Sequence, residues 1–183
     1  MINSKAIAKA VKELAKSERV LTRRLGNRVY LCNGYYAVYM NVGVYNEYVR
    51  PVSAKFPDLP NEDCGSKCLF SDALPTVSPD FMRIESVFEA CSKASANVVD
   101  SGYLRTFRGE KRRAKVLMVD DQMIFIDEKI FDVCTAFSYV DEPSLFTEAK
   151  GNGNAPVYSV TDEMGFLMLP IRQMNNAFVV KAS

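Results

Sequence analysis

The opening stretch of the chain repeats apolar residues at helical spacing. When residues 4–17 are placed at steps of about 100°, four apolar side chains fall on one side: Ile7, Ala10, Val11 and Leu14. Four lysines fall on the opposite side: Lys5, Lys9, Lys12 and Lys16. The pattern predicts an amphipathic helix whose apolar face enters the core and whose lysine face lies in solvent.

Strand-like runs rich in valine and tyrosine follow this helix. Residues 19–25, 29–32 and 35–40 are separated by Gly26-Asn27 and by Asn33-Gly34. Asn-Gly is typical of a type I′ hairpin turn, in which both central residues have positive φ. The pattern therefore predicts antiparallel strands, and residues 42–49 continue the same valine- and tyrosine-rich composition.

Six tyrosines crowd this strand region: Tyr30, Tyr35, Tyr36, Tyr39, Tyr45 and Tyr48. Exposed aromatic rings on a sheet can stack on the bases of single-stranded nucleic acid. Tyrosine is also a common strand residue that covers a partly exposed sheet face. The second interpretation is preferred here.

The middle of the chain changes character, because five prolines interrupt residues 51–79. We expect a long connector there, either functional or packed over the sheet as an insertion. Cys64 and Cys68 lie within it, in a predicted glycine-containing loop. With no histidine in the chain and the other cysteines in predicted strands or helices, loop thiols are preferred over a zinc site.

The second half predicts alternating helices and strand pairs. Residues 80–93 have helical spacing, residues 98–115 a strand pair turning at 108–110, and residues 116–126 a second pair turning at 120–122. Asp127 stands in N-cap position before a helix of about three turns. The run from Gly151 to Asn154 favours a hairpin between residues 145–148 and 157–160, with a further strand at 166–169.

Charge is distributed unevenly along the 183 residues. The net charge is +1, yet the first 28 residues contain eight basic and two acidic side chains. A second basic cluster follows at residues 105–115. The composition argues against a globally basic nucleic-acid binder, so any phosphate-binding face must arise from local asymmetry.

Other features narrow the class of protein. No apolar run approaches the ~20 residues of a membrane span, and the first residues lack the continuous apolar core of a signal peptide. We therefore expect a cytoplasmic protein without a membrane partner. Five cysteines, an odd number, favour reduced thiols.

Catalytic chemistry is not indicated. The lack of histidine removes Ser-His-Asp and Cys-His catalysis and most metal-assisted hydrolysis. Asp120, Asp121 and Asp127 are carboxylates with ion-binding capacity, but the first two suit a turn. We therefore expect no enzyme, no cofactor and no metal, although a carboxylate-only active site would escape this reasoning.

One part of the chain resembles a known family. The residues Ile126-Asp127-x-Lys129-Ile130-Phe131-x-x-Cys134-x-Ala136-Phe137 follow a strand pair, and Ala-Pro-Val-Tyr (155–158) and Phe-Leu-Met-Leu-Pro-Ile-Arg (166–172) come later. Their order over roughly 55 residues resembles the closing half of a DNA sliding clamp domain. The resemblance implies an α+β fold in which antiparallel sheets are faced by two main helices.

The resemblance also implies a domain organisation. We expect residues 1–183 to form a single clamp-like domain of two helix-plus-sheet units, residues 1–50 and 95–172, with residues 51–94 inserted between them. Familiar clamp rings contain six such domains, so a ring of this chain would need more subunits than usual, or no ring forms.

For function, the resemblance implies a non-catalytic accessory protein of DNA replication, a processivity factor, that binds duplex DNA or a replication protein and forms a homo-oligomer if a ring assembles. Clamp helices bring basic side chains to DNA phosphates without reading bases. The candidate DNA-binding residues are Lys5, Lys9, Lys12, Lys16, Arg19, Arg23, Arg105, Arg108, Arg112 and Arg113.

Two alternatives remain open at this point. The lysine face is equally typical of an ordinary solvated helix face. The helix after Asp127 carries Glu128, Lys129 and Asp132 and so lacks a basic face. The alternative function is a protein-interaction module, of phage or mobile-element type, that has a clamp-like fold without a DNA role.

Overall fold

The computed structural model describes residues 3–69, 76–77, 84–91, 96–107, 111–138, 142–148, 154–171 and 178–182. Within these ranges the helices are α1 (Ser4–Ala15), α2 (Val42–Val44), α3 (Ile84–Cys91) and α4 (Glu128–Thr135). The strands are β1 (Arg19–Leu25), β2 (Arg28–Cys32), β3 (Tyr36–Asn41), β4 (Asp63–Leu69), β5 (Thr76–Val77), β6 (Ala96–Phe107), β7 (Arg113–Val119), β8 (Gln122–Asp127), β9 (Leu145–Thr147), β10 (Val157–Val160), β11 (Met164–Met168) and β12 (Phe178–Ala182).

The strands pair in an antiparallel order that runs β5-β4-β1-β2-β3-β11-β10-β9-β6-β7-β8, with β12 beside β6. The predicted α+β class with antiparallel sheets is confirmed. β6 is long enough to pair with β9 through Ala96–Val98 and with β12 through Tyr103–Phe107. Its register against β7 shifts between Asp100 and Leu104, where Gly102 has φ +74°. One strand thereby joins two sheets.

The helices and strands are arranged as two similar runs about the β3–β11 pair. α1 is followed by β1, β2 and β3, and α4 is followed by β9, β10 and β11. The last strands of the two runs pair with each other, with Tyr39 opposite Gly165. α1 and α4 pack together on the same side of the sheet.

The main core lies between these helices and the sheet. Ile7, Ala10, Val11 and Leu14 of α1 are all buried in it, as the helical spacing predicted. They pack with residues of the inner sheet face such as Val38, and with α4 through Val133. Fully burying each large apolar side chain stabilises the fold by about 1.5–3 kcal/mol, so the amphipathic pattern is sufficient to fix which face α1 buries.

A second cluster covers the outer face of the same sheet. Ile84, Phe88 and Cys91 of α3 pack on tyrosine rings of β2, β3 and β10. The Phe88 ring meets the Tyr39 ring edge-on, with 5.0 Å between centroids. Tyr30 and Tyr39 are buried in this cluster and Tyr36 and Tyr45 in the main core, so none of these four rings offers a surface for stacking bases.

The β2–β3 hairpin forms where Asn33-Gly34 predicted a turn, but the predicted turn type was wrong. Gly34 has φ +93°, whereas Asn33 does not adopt positive φ. The Asn33 side chain instead accepts hydrogen bonds from the backbone N–H groups of Tyr35 (3.0 Å) and Tyr36 (3.1 Å). An asparagine that bonds its own following backbone replaces the type I′ geometry.

Residues 42–49 are helical, although their composition resembles that of the strands before them. Asn41 caps α2 by accepting a hydrogen bond from the Val44 N–H at 2.9 Å. The chain continues as a π-helical turn over Tyr45–Val49 and a 3-10 turn over Arg50–Val52. The cap and the buried contacts of Tyr45 and Val49 override the strand propensity of the run.

The predicted Cys64–Cys68 loop was wrong. Both cysteines lie in β4, which pairs with β1 along its whole length. Residues four apart on a strand are separated by about 13 Å, too far to share one tetrahedral metal ion. In the described ranges no group of three or more metal-ligating side chains is found. The middle segment therefore extends the sheet through β4 and β5.

The buried cysteines provide a test of this packing. Burial raises the pKa of the Cys32, Cys91 and Cys134 thiols. Because only the thiolate is nucleophilic, we expect these three thiols to resist Ellman's reagent in the native protein and to react after unfolding in guanidinium. Cys64, which is partly exposed, serves as the reactive comparison. Rapid native labelling of Cys134 would contradict the packing of α4.

Candidate nucleic-acid interface

The lysine face of α1 is set by how the helix begins and packs. The Asn3 side chain caps the helix by accepting a hydrogen bond from the Ala6 N–H at 3.1 Å. With the opposite face buried, Lys5, Lys9, Lys12 and Lys16 are all exposed. Lys16 pairs with Glu13 at 2.5 Å, while the other three lysines form no ion pair with a described residue. The helix thus presents a row of positive charge to solvent.

A groove lies beside this row, between α1 and α4. Its volume is about 610 Å³. It is lined by Asn3, Ala6, Lys9, Ala10, Glu13, Lys16, Lys129, Asp132, Val133, Thr135, Ala136 and Ser138. The alanines are short, so the charged side chains of the two helices dominate its rim.

α4 contributes a lysine that the candidate set omits. Asp127 caps α4 by accepting from the N–H groups of Lys129 (2.9 Å) and Ile130 (3.4 Å). Val133 and Cys134 enter the core, which turns Lys129 and Asp132 toward α1. The helical spacing of α4 was visible in the sequence, but its packing against α1 was not, so Lys129 could not be assigned to this surface.

Carboxylates partly neutralise the groove. The hydrogen bond from Lys16 holds the pKa of Glu13 below its usual value, and Lys129 and Lys9 add to that effect. Burial raises the pKa of Asp132, and Glu128 raises it further, against the opposing influence of Lys9. Positive and negative charges therefore alternate across the groove, whereas the outer row of α1 lysines carries positive charge that is exposed to solvent.

Arg19 and Arg23 do not join the lysine row. Side chains alternate along β1, and Val20 packs into the core beneath α1 while Leu21 packs toward α3. Arg23 shares the α3 side, where it pairs with Asp63 at 3.3 Å and Glu85 at 3.5 Å. The Arg19 guanidinium lies near Gly34, also away from α1. These two candidates lie across the sheet from the lysines.

The second basic cluster is engaged in ion pairs. Arg112 pairs with Asp127 at 2.7 Å and Arg113 with Glu128 at 2.6 Å. The Arg105 guanidinium lies 4.3 Å from the centroid of the Phe125 ring, and burial lowers its pKa. Arg108 lies outside the described residues. The arginines at 112 and 113 brace the start of α4, where they complement its acidic first turn.

Replacing Asp132 by asparagine tests the charge alternation. A carboxyl whose pKa is raised on folding destabilises the native state once it ionises, so stability falls as pH rises from the unfolded to the folded pKa. We expect Asp132→Asn to raise the free energy of unfolding at pH 7 by no more than about 0.5 kcal/mol, since the side chain is exposed. The gain should vanish below about pH 4, as measured by urea denaturation. A lower free energy of unfolding for Asp132→Asn at pH 7 would contradict this expectation.

No family model matches the chain, and no curated protein matches it. Among solved structures, it is similar to the DNA polymerase III β subunit of Thermotoga maritima, with 9% identity and a TM-score of 0.42, covering 93% of this chain and 64% of that one. It is also similar to the Helicobacter pylori β clamp bound to a DNA ligase peptide, with 12% identity and a TM-score of 0.43, covering 93% and 62%.

The Pseudomonas aeruginosa sliding clamp gives 13% identity and a TM-score of 0.38, covering 93% of this chain and 64% of that one. The chain thus spans less than two thirds of the length of each of these clamps. The matched structures are sliding clamps, the class of protein that residues 116–172 resemble. In the part of the chain that the structure describes, no helix has the length and apolar character to cross a membrane.

Proposed function

We propose that this chain is a cytoplasmic, non-catalytic, clamp-like accessory protein that binds duplex DNA through the lysine row of α1. The observation that carries the proposal is the separation of faces on that helix. Every apolar residue at core spacing is buried, and Lys5, Lys9, Lys12 and Lys16 are all exposed. In the proposed organisation residues 1–50 and 95–172 form two helix-plus-sheet units, and residues 51–94 are an insertion.

The row has dimensions that suit a DNA backbone. From Lys5 to Lys16 the helix rises about 16 Å, and duplex DNA carries one negative charge per ~1.7 Å of its axis. Lysine binds phosphate as a point charge and carries no base specificity. A row of this kind holds the duplex without fixing its register, which is what movement along DNA requires.

The acidic residues of the groove set the strength of the interaction. Glu13 neutralises Lys16 in the absence of DNA, and Asp132 lies on the α4 side of the same groove. Lys129 adds one positive charge there. We therefore expect moderate, strongly salt-dependent binding rather than tight binding.

The test is fluorescence anisotropy of a labelled duplex titrated with the wild-type chain at several salt concentrations. Each phosphate contact contributes about −0.9 to the slope of log K against log salt, so four contacts predict a slope near −3.6 and a loss of about two orders of magnitude between about 50 and 200 mM salt. Molar mass measured on the same samples reports whether an oligomer binds. Absence of binding at low salt would overturn the proposal.

A second candidate function is docking to a replication protein without DNA contact. The specific observation in its favour is that part of the predicted basic surface is already satisfied internally, through the pairs of Arg112 with Asp127 and of Arg113 with Glu128. Weak binding with a slope well below that of four contacts would favour this candidate.

A further inference from the structure

Strands β6, β7 and β8 carry an apolar row, exposed at its two ends, on the sheet face opposite α1 and α4. Val99 of β6 lies opposite Met118 of β7, and Met118 lies opposite Met123 of β8, so the three side chains stand side by side. Val99 is 64% exposed and Met123 is 48% exposed. Their neighbours Val98 and Ile124 enter the core, which confirms that the row occupies the outer face.

The row adjoins a small buried cluster on the same face. Val116, two residues before Met118, and Phe125 are each 3% exposed, and Met118 and Ile171 pack against them. The Arg105 guanidinium covers Phe125 there, and Tyr103, two residues earlier on β6, is 50% exposed. Single exposed apolar residues are ordinary, whereas a contiguous patch marks an interaction surface.

Negative charge borders the row at one end. Asp120 and Asp121 form the β7–β8 turn next to Met118 and Met123, and both are exposed. Neither carboxylate forms an ion pair with a described residue. The flank of the patch is therefore complementary to a basic side chain.

We propose that this row binds an amphipathic helix of a partner protein, with three apolar residues on one face and basic residues along the flank that meets Asp120 and Asp121. Three adjacent strands span two intervals of about 4.8 Å, or roughly 10 Å. On a helix, residues i and i+7 lie about 10.5 Å apart with i+3 or i+4 between them. Apolar side chains at these positions match Val99, Met118 and Met123 one to one.

Two of the three residues in the row are methionines, which suits this role. Methionine is unbranched and polarizable, so it adapts to apolar side chains of different shape. The row lies on the opposite side of the sheet from α1, so a bound helix leaves the lysine row accessible. The proposal does not depend on DNA binding.

The experiment uses the full chain and a fluorescein-labelled, stapled peptide of about 14 residues with leucines at i, i+3 and i+7 and lysines on one flank. The matched peptide has glutamates in place of the lysines. We expect the double variant Val99→Ser, Met123→Ser to weaken binding of the basic peptide at least about tenfold. The control is Leu25→Ser, which replaces an exposed apolar residue at the end of β1. It should change the affinity for the basic peptide less than about twofold.

The charge requirement is tested separately with Asp120→Asn, Asp121→Asn. Asp120 has φ +49°, which asparagine also tolerates, so the turn is retained. We expect a loss of about threefold to fivefold in affinity at low salt and little loss at high salt.

Three results would overturn the proposal. The first is equal binding of the basic and acidic peptides, and the second is no binding of the basic peptide up to about 1 mM. The third is an increase in molar mass with protein concentration that the Val99→Ser, Met123→Ser variant abolishes without any peptide binding, which would assign the row to a second copy of the chain. Thermal melts of every variant confirm that it is folded.

Discussion

Replacing Lys5, Lys9, Lys12 and Lys16 together by alanine is expected to weaken duplex-DNA binding by about two orders of magnitude at low salt and to flatten its salt dependence almost completely. Under the proposed function, each lysine removed takes one phosphate contact with it. Alanine is the strongest helix former, and the buried face of α1 is untouched, so the variant should melt at the wild-type temperature. Anisotropy titrations at several salt concentrations measure the DNA affinity and its salt dependence, and a thermal melt of each sample measures the melting temperature.

The matched control removes two charges elsewhere. In Arg112→Gln, Arg113→Gln the lost guanidinium groups were held by Asp127 and Glu128 in the native fold. We expect less than about a twofold change in DNA affinity. If this variant loses binding while the quadruple lysine variant keeps it, the interface lies at the start of β7 and the assignment to α1 is wrong.

Gly165→Ala is expected to lower the free energy of unfolding by about 3 kcal/mol. A Cβ at this position would stand 2.4 Å from Cε1 of Tyr39 and 2.7 Å from the backbone oxygen of Ser159. The Tyr39 ring has no room to retreat, because it is buried, donates its hydroxyl hydrogen bond to the Thr161 carbonyl and lies beneath the Arg28 guanidinium. Urea denaturation should show a lower midpoint with an unchanged slope.

Gly26→Ala separates crowding from backbone strain. Gly26 has φ +56°, yet nothing lies within 4 Å of a Cβ built there. Alanine at this site should therefore cost only about 1 kcal/mol, the conformational penalty of a positive φ. Equal losses for the two variants would show that the close approach of Tyr39 to Gly165 contributes little.

Local signals predicted much of this fold. The spacing of Ile7, Val11 and Leu14 predicted α1 and its buried face, and the cap at Asp127 predicted the start of α4. The β2–β3 and β7–β8 hairpins form where Asn33-Gly34 and Asp120-Asp121 interrupt apolar runs. β9 pairs with β10 as predicted, and residues 149–153 of the predicted turn lie outside the described residues. Each of these features is decided by interactions within a few residues, so one sequence suffices to predict it.

Features that depend on contacts between distant segments could not be predicted in this way. β4 is a strand because β1 offers it a partner, although its Cys-Gly-Ser-Lys-Cys core has a turn-like composition. Arg23 was grouped with the lysines by its place in the chain, yet strand alternation turns it to the α3 side. Lys129 reaches the groove only because α4 packs on α1. These assignments require the tertiary arrangement.

The shared strand β6 bears on how the molecule unfolds. Its first residues pair with β9 and its last residues with β12, while β7 accompanies both parts on either side of the register shift at Asp100 to Leu104. Neither sheet can lose this strand without breaking hydrogen bonds in the other. The free energies of local opening on the two sides are therefore linked. We expect a single denaturation transition rather than two modules that melt in succession.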